Sequence, residues 1–243
     1  MNMQWLMLSC LMMRRDNMDT IRQIRRQIVD CGKLLYERQY VGGAEGNISA
    51  KLERSKIAIT PSGKCLGSLK SSDMVIISPK GKKLSGKLTP SSEYRLHFGI
   101  YEHRPDIKAI CHTHPIYSTA WAVAGIALDK LILPEIIDSL GIIPLVEYGT
   151  PGTTELFDNM AELVGNHDAF LLRNHGAVTL GINLEDAFFK MEMVERYAAI
   201  LFNAKMLGKP KPIPLNMAKK ISGYKRIIKQ QSYGKSGRRK RVK

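Results

Sequence analysis

His112-Thr113-His114 closes one apolar run of the chain, and a third imidazole, His175, closes another. Residues two apart on a β-strand face the same way, so His112 and His114 can grip one metal ion from one side. Ile107, Ala109, Ile110 and Cys111 lead into the pair and Pro115 ends it, which reads as a strand stopping at a rim. His175 follows Ala169-Phe170-Leu171-Leu172-Arg173-Asn174 and precedes Gly176. Three histidines from strand ends make a zinc-type ligand set that leaves a position for substrate or a carboxylate. Glu93 is the candidate carboxylate. Ser91-Ser92-Glu93 reads as a helix start with Ser91 as N-cap, where the helix dipole keeps a first-turn carboxylate ionised. A carboxylate released from such a metal is a base already in position.

Small residues supply a second kind of chemistry. Gly46-Asn47, Ser62-Gly63 and Ser91-Ser92 offer hydroxyls and backbone N–H groups suited to an anion such as phosphate. No Walker-type loop is present, and no GxGxxG followed by a ribose-binding acid, so nucleotide binding is not expected.

These groups need elements to hold them. Ile21, Ile24, Ile28, Cys31 and Leu35 recur at steps of three and four, predicting an amphipathic helix from Asp19 to about Arg38. Short strands are predicted entering at Gly46–Ser49, at Ile57–Thr60 and at Met74–Ser78, with turns at Pro61-Ser62-Gly63 and Pro79-Lys80-Gly81. A helix then runs to His103, stopped before Pro105. A long helix starts at Asn183 or Leu184, carries Phe188, Met191, Val194, Ala198 and Leu201 on one core stripe, and ends by Gly208 and Pro210. No repeat or linker divides the body.

The chain has 243 residues, enough for one α/β domain with appendages. Its cysteines (Cys10, Cys31, Cys65, Cys111) form no motif, which fits a reduced, cytoplasmic setting. Cys111 alternates away from the histidines and reads as a packing residue. The net charge of +15 is concentrated: residues 219–243 hold 11 basic residues and no acid, against 26 basic and 22 acidic elsewhere. Such a run reads as a solvated tail, here residues 216–243, able to bind polyanions non-specifically. Residues 1–17 read as an extension ahead of a true start at Met18. The apolar stretch Asn2–Met13 is too short to span a bilayer and has the wrong flanks for a signal peptide, so no membrane association is expected. The predicted domain is 18–215.

Five blocks now carry a resemblance: Gly46-Asn47-Ile48-Ser49, Ile59-Thr60-Pro61-Ser62-Gly63, Pro90-Ser91-Ser92-Glu93, His112-Thr113-His114-Pro115 and Asn174-His175-Gly176. Their order and spacing resemble the class II aldolase/adducin superfamily, nearest its fuculose-phosphate aldolases, over roughly Asp19 to Leu207. The resemblance implies a three-layer α/β/α fold around a largely antiparallel sheet and a homotetramer with one Zn²⁺ per subunit. It implies His112, His114, His175 and Glu93 as metal ligands, with Glu93 also the catalytic acid/base. It implies Gly46, Asn47, Ser62, Gly63, Ser91 and Ser92 as the phosphate site. The implied reaction cleaves a ketose 1-phosphate to dihydroxyacetone phosphate and a short aldehyde such as L-lactaldehyde. Two related activities stand beside it: a ribulose-5-phosphate 4-epimerase type, whose members tend to carry Asp at the Glu93 position, and a methylthioribulose-1-phosphate dehydratase type. A non-catalytic adducin-like module is the reading of another class; its relatives have lost the histidines that this chain retains. Where the aldolases carry a tyrosine near the aldehyde, this chain has Ile132-Leu133-Pro134-Glu135, leaving Tyr224 and Tyr233 as candidates from the C-terminal region.

Overall fold

An eight-stranded sheet in the order β4-β3-β2-β1-β5-β8-β7-β6 organises the molecule. This computed structural model describes residues 3–224 and 226–230, with side chains from residue 20 onward. The strands are β1 (Asn47–Lys51), β2 (Ile57–Ile59), β3 (Val75–Ile77), β4 (Lys83–Ser85), β5 (Ala109–Thr113), β6 (Leu145–Val146), β7 (Ala169–Leu172) and β8 (Gly176–Gly181). Every neighbouring pair is antiparallel except β6 with β7. The largely antiparallel sheet is therefore as expected.

Strand alternation splits the core into two layers. Ala58, Ala109, Cys111 and Leu171 bury one face against α1 (Met3–Glu37), α3 (Ile116–Val123) and α7 (Leu184–Leu207). Ile57, Ile59, Ile110, Phe170 and Val178 bury the other against α2 (Tyr94–His103), α5 (Glu155–Asp158) and α6 (Ala161–Val164). A buried strand core with helices on both faces is the α/β/α sandwich. Cys111 lies in the α1 layer, its Sγ 3.8 Å from that of Cys31, away from the histidines.

The predicted helices hold, with differences at their ends. Ile28, Cys31 and Leu35 are buried on α1, and all five apolar positions of the predicted α7 stripe are buried. Asn183 caps α7 by accepting from Asp186 N–H at 2.8 Å, and Gly208 ends it at φ 155°. The α1 helix continues N-terminally past Asp19 to Met3. The expected N-cap Ser91 is corrected: α2 begins at Tyr94 with Glu93 itself at the cap position. Ser91 opens a tight turn ahead of the helix, with Tyr94 N–H bonded to Ser91 C=O at 3.3 Å and Ser91 Oγ accepting from Glu93 N–H at 3.3 Å, so the regular helix starts three residues later.

The basic segment differs more. As far as Gln230 it packs on the body instead of extending into solvent. Tyr224, Ala218 and Ile227 form a small core with Ile137 of α4 (Pro134–Ser139). Gln230 is buried, accepting from Ile142 N–H at 2.8 Å and donating to Leu140 C=O at 3.0 Å. A few apolar side chains and one well-paired amide outweigh the like charge, which stays at the surface. Tyr233 and the rest of the tail lie outside the described residues. Among the described residues, no helix is long and apolar enough to cross a membrane.

Candidate active site

The site forms at one end of the central strands β1, β5 and β8. Residues opposite one another in an antiparallel pair share a face, and His112 lies opposite both Asn47 on β1 and Val178 on β8. His112 therefore points toward the α2 layer and is fully buried. His114 follows just past the strand end. His175 sits in the tight β7–β8 connection, where its N–H bonds Leu172 C=O at 3.0 Å and Asn174 takes φ 56°. Asparagine tolerates that left-handed backbone far better than a branched residue.

Two glycines let these segments close. At Gly176 an added Cβ would stand 2.5 Å from Thr113 O and 2.6 Å from His114 Cδ2. At Gly46, φ is +73° and a Cβ would stand 2.9 Å from His112 O. Both are required by close approach.

The three Nε2 atoms converge. His112 Nε2 is 3.2 Å from His175 Nε2 and 3.4 Å from His114 Nε2. Glu93 Oε2 is 3.2 Å from His112 Nε2, and Glu93 Oε1 is 3.4 Å from His175 Nε2. The far nitrogens fix two tautomers: His112 Nδ1–H donates to Ala177 C=O at 3.0 Å, and His114 Nδ1–H donates to Glu45 Oε2 at 3.1 Å. Those two Nε2 lone pairs thus point inward, toward a carboxylate with one buried, unpartnered oxygen. Such a cluster asks for a cation. Tetrahedral Zn²⁺ with bonds of about 2.0–2.1 Å to nitrogen sets its ligand atoms about 3.3–3.4 Å apart, which is the spacing found here. His112, His114 and His175 could hold a metal, and the donor set fits zinc.

Electrostatics agree. Burial raises the Glu93 carboxyl, but His112, His175 and the Asn47 amide outweigh it and hold the group well below the usual carboxylate range. Burial and the neighbouring His112 push His175 down to about 3 and also lower His114. His112 moves the other way: burial is overcome by Glu93, and its affinity for a proton rises.

The small-residue stretches gather beside Glu93. The Pro61–Pro90 bridge lays the 61–63 loop against 90–92, with Ser62 N–H bonded to Thr89 C=O at 2.9 Å. The main-chain N–H groups of Ser62 and Ser91 are thereby used within the bridge, leaving their hydroxyls. Ser62, Gly63 and Ser92 are exposed and Ser91 is buried, its Oγ accepting from Glu93 N–H at 3.3 Å. Asn47 is buried, and its Nδ2–H donates to Glu93 Oε2 at 2.6 Å. Tyr224, by contrast, is buried in the C-terminal cluster.

Two polar residues beside the site carry no sequence motif. Glu45 orients His114 while accepting from Gly42 N–H with its other oxygen at 2.5 Å. His97, one helical turn beyond Glu93, is fully buried and bonded to Asn47 at 2.5 Å. The Glu93-to-His97 step of four residues is the only sequence signal that could have found it.

The comparisons agree with this geometry. Residues 26–202 match the Class II Aldolase and Adducin N-terminal domain. An L-fuculose phosphate aldolase of Methanococcus maripaludis is 39% identical over 178 residues, covering 72% of this chain and 93% of that protein. A 3-oxo-tetronate 4-phosphate decarboxylase of Pectobacterium atrosepticum is 35% identical over 185 residues, covering 74% and 84%. A solved L-fuculose 1-phosphate aldolase superposes with a TM-score of 0.77 at 34% identity, covering 82% of this chain and 94% of that one. The chain belongs to the class II aldolase and adducin family.

Proposed function

We propose that the protein is a zinc-dependent carbon–carbon lyase that reversibly cleaves a ketose 1-phosphate of the L-fuculose 1-phosphate type. The products are dihydroxyacetone phosphate and a short aldehyde such as L-lactaldehyde. The observation that carries the reading is the convergence of three Nε2 atoms, with the Glu93 carboxylate against His112 and His175, beside the Ser62, Gly63, Ser91 and Ser92 loops.

His112, His114, His175 and Glu93 would hold one zinc ion per subunit. That ion supplies Lewis-acid polarisation of the substrate carbonyl and offsets the negative charge that grows as the bond breaks. The chain's own residues do the rest. Gly46, Asn47, Ser62, Gly63, Ser91 and Ser92 form the phosphate end. Buried His112 and the sheet wall close the inner side of the site to water. Glu93 moves the proton at that carbon, giving it in cleavage and removing it in condensation. The L-fuculose phosphate aldolase relatives support this substrate class. We place the enzyme in the cytoplasm as a homotetramer, where a neighbouring subunit would complete the aldehyde end that Ile132-Leu133-Pro134-Glu135 leaves without a tyrosine.

The decarboxylase relative favours a second reading, loss of CO₂ from a phosphorylated 3-oxo acid. Both reactions leave charge on a carbon next to a carbonyl, so the same site serves either. Purified protein with measured zinc content should be assayed with L-fuculose 1-phosphate for dihydroxyacetone phosphate release and with 3-oxo-tetronate 4-phosphate for CO₂ release. Aldol cleavage with one zinc per chain supports the first reading. CO₂ release alone replaces it with the second, and zinc-free protein with neither activity overturns both.

A further inference from the structure

His97 on α2 is fully buried, and both its ring nitrogens are engaged. Its Nε2 lies 2.5 Å from Asn47 Oδ1 and its Nδ1 lies 2.7 Å from Ser49 Oγ. Ser49 Oγ lies 2.8 Å from the Tyr101 hydroxyl, and Tyr101 is buried as well. The directions of these bonds follow from one end. Asn47 Nδ2–H donates to Glu93 Oε2 at 2.6 Å, which leaves the Asn47 carbonyl oxygen for its other neighbour. Asn47 Oδ1 then faces His97 and must accept, which puts the His97 proton on Nε2. His97 Nδ1 therefore accepts from the Ser49 hydroxyl, and the single Tyr101 O–H is shared between Ser49 Oγ at 2.8 Å and Ser49 C=O at 3.2 Å. Burial depresses the His97 imidazole to about 3, which keeps the ring neutral and the directions fixed.

We infer that His97 is a positioning residue for the acid/base: through the one-way relay Tyr101–Ser49–His97–Asn47 it locks the Asn47 amide with its nitrogen toward Glu93. Without the relay the amide can turn over and present oxygen to the carboxylate, pushing it off its position. The inference rests on the reading of Glu93 as the group that moves the proton. It also assigns one Asn47 amide hydrogen to Glu93, so that this side chain serves the proton-transfer end of the site as well as the phosphate end. Buried polar chains of this kind act as units, and the loss of one member is felt at the other end.

Two measurements on the full-length zinc-loaded protein test it. Long-range ¹H–¹⁵N spectra of the imidazoles should show His97 neutral with its proton on Nε2; an Nδ1–H tautomer or an imidazolium would overturn the relay. Proton exchange into dihydroxyacetone phosphate from D₂O gives the functional arm. His97→Leu should lower the maximal exchange rate roughly 10–100-fold, the usual effect of losing the outer hydrogen bond to a ligating residue, here the Asn47 amide's hold on Glu93, with little change in KM. His97→Gln, which can still donate to Asn47, should recover most of the rate. A KM rise at unchanged maximal rate, or His97→Gln as poor as His97→Leu, would sink the inference. Ser49→Ala removes only the hydroxyl that sets the tautomer and carries the test if His97→Leu does not fold; it should lower the rate in the same direction, and wild-type rates would count against the relay. If the wild-type protein exchanges no proton, the aldolase reading fails, and the tautomer measurement alone decides the relay.

Discussion

Glu195 gives the sharpest test of how the fold holds the histidines in place. Helix α3 starts two residues after His114 and has no side-chain cap of its own, since its N-cap residue is Pro115. Glu195, buried on α7, supplies the cap from outside. Its Oε1 accepts from Tyr117 N–H at 2.8 Å, and its Oε2 accepts from Ser118 N–H at 2.8 Å and Ser118 Oγ–H at 2.6 Å. Glu195→Gln keeps the shape but replaces one acceptor by an NH₂ group, which cannot accept from either main-chain donor. One charge-assisted bond is lost, worth about 1.5–3 kcal/mol, and the others weaken. Removing negative charge from the helix N-terminus costs about 0.3–2 kcal/mol more. The expected loss is about 3–4 kcal/mol. At about 2–4 °C per kcal/mol for a domain of this size, Tm should fall by roughly 10 °C. Scanning calorimetry of the zinc-free protein measures it, with Ser118→Ala as the milder companion at about 1 kcal/mol. A Glu195→Gln variant that melts within 2–3 °C of wild type, below about 1 kcal/mol on the same scale, would refute the cap as a structural tie.

Glu93→Gln should keep part of the zinc and lower turnover roughly 10²–10⁴-fold, the usual contribution of general acid–base catalysis; near-normal proton exchange on dihydroxyacetone phosphate would exclude Glu93 as the base. His175→Ala should lose both zinc and activity, and full zinc occupancy by elemental analysis would strike it from the ligand set. The metal-free protein should lose stability on acidification, because His97 and His175, at about 3 in the folded state, stay neutral while the unfolded chain takes up protons below about 6.5. For the fully buried His97 alone each pH unit in that window costs about 1.4 kcal/mol, and Glu93, whose carboxyl is depressed, adds the same sign below about 4.5. His112, raised in the folded state, opposes them, so a urea midpoint that climbs between pH 7 and pH 5 would show that the depressed groups do not dominate. Gly176→Ala should cost about 1–3 kcal/mol by overpacking and weaken zinc retention with it, because the new methyl displaces His114; unchanged zinc affinity would count against that contact.

Of the candidate ligands, the His112–His114 pair was legible because its order is local. Period two along β5 puts His112 and His114 on one side of Cys111, and apolar runs ending in histidine mark where the strands stop. The α/β character followed from short strands beside the α1 and α7 stripes, while the three-layer arrangement was what the family resemblance implied. What the sequence could not display depends on chain segments meeting. Glu45 reaches His114 only because Gly46 turns at positive φ, and His97 meets Asn47 only because α2 packs over β1. The expected Ser91 cap shifted because residues 91–94 close as a tight turn, Tyr94 N–H on Ser91 C=O, where the chain is pinned to Thr60, and the regular helix begins only after it. The basic segment misled for a different reason. Counting charge hides Ile221, Tyr224 and Ile227, whose spacing places them against Leu131 and Ile137.

The unequal tethering of the four proposed ligands bears on which of them can leave. His112 is fixed through a main-chain carbonyl of β8, a point that cannot move without disturbing the sheet. His114 is fixed through Glu45, whose other oxygen is bound to the main chain of its own loop. His175 is carried on a three-residue connection between two paired strands. Glu93 is held differently: Asn47 grips one oxygen, while the other is buried without a hydrogen-bond partner. A buried carboxylate oxygen left unpaired is costly, and a cation or an incoming hydroxyl relieves it. Three rigid imidazoles and one carboxylate on a single tether therefore divide the labour. The imidazoles would keep a metal in place, and Glu93, on its one tether, would be the ligand freest to leave and to take up a proton.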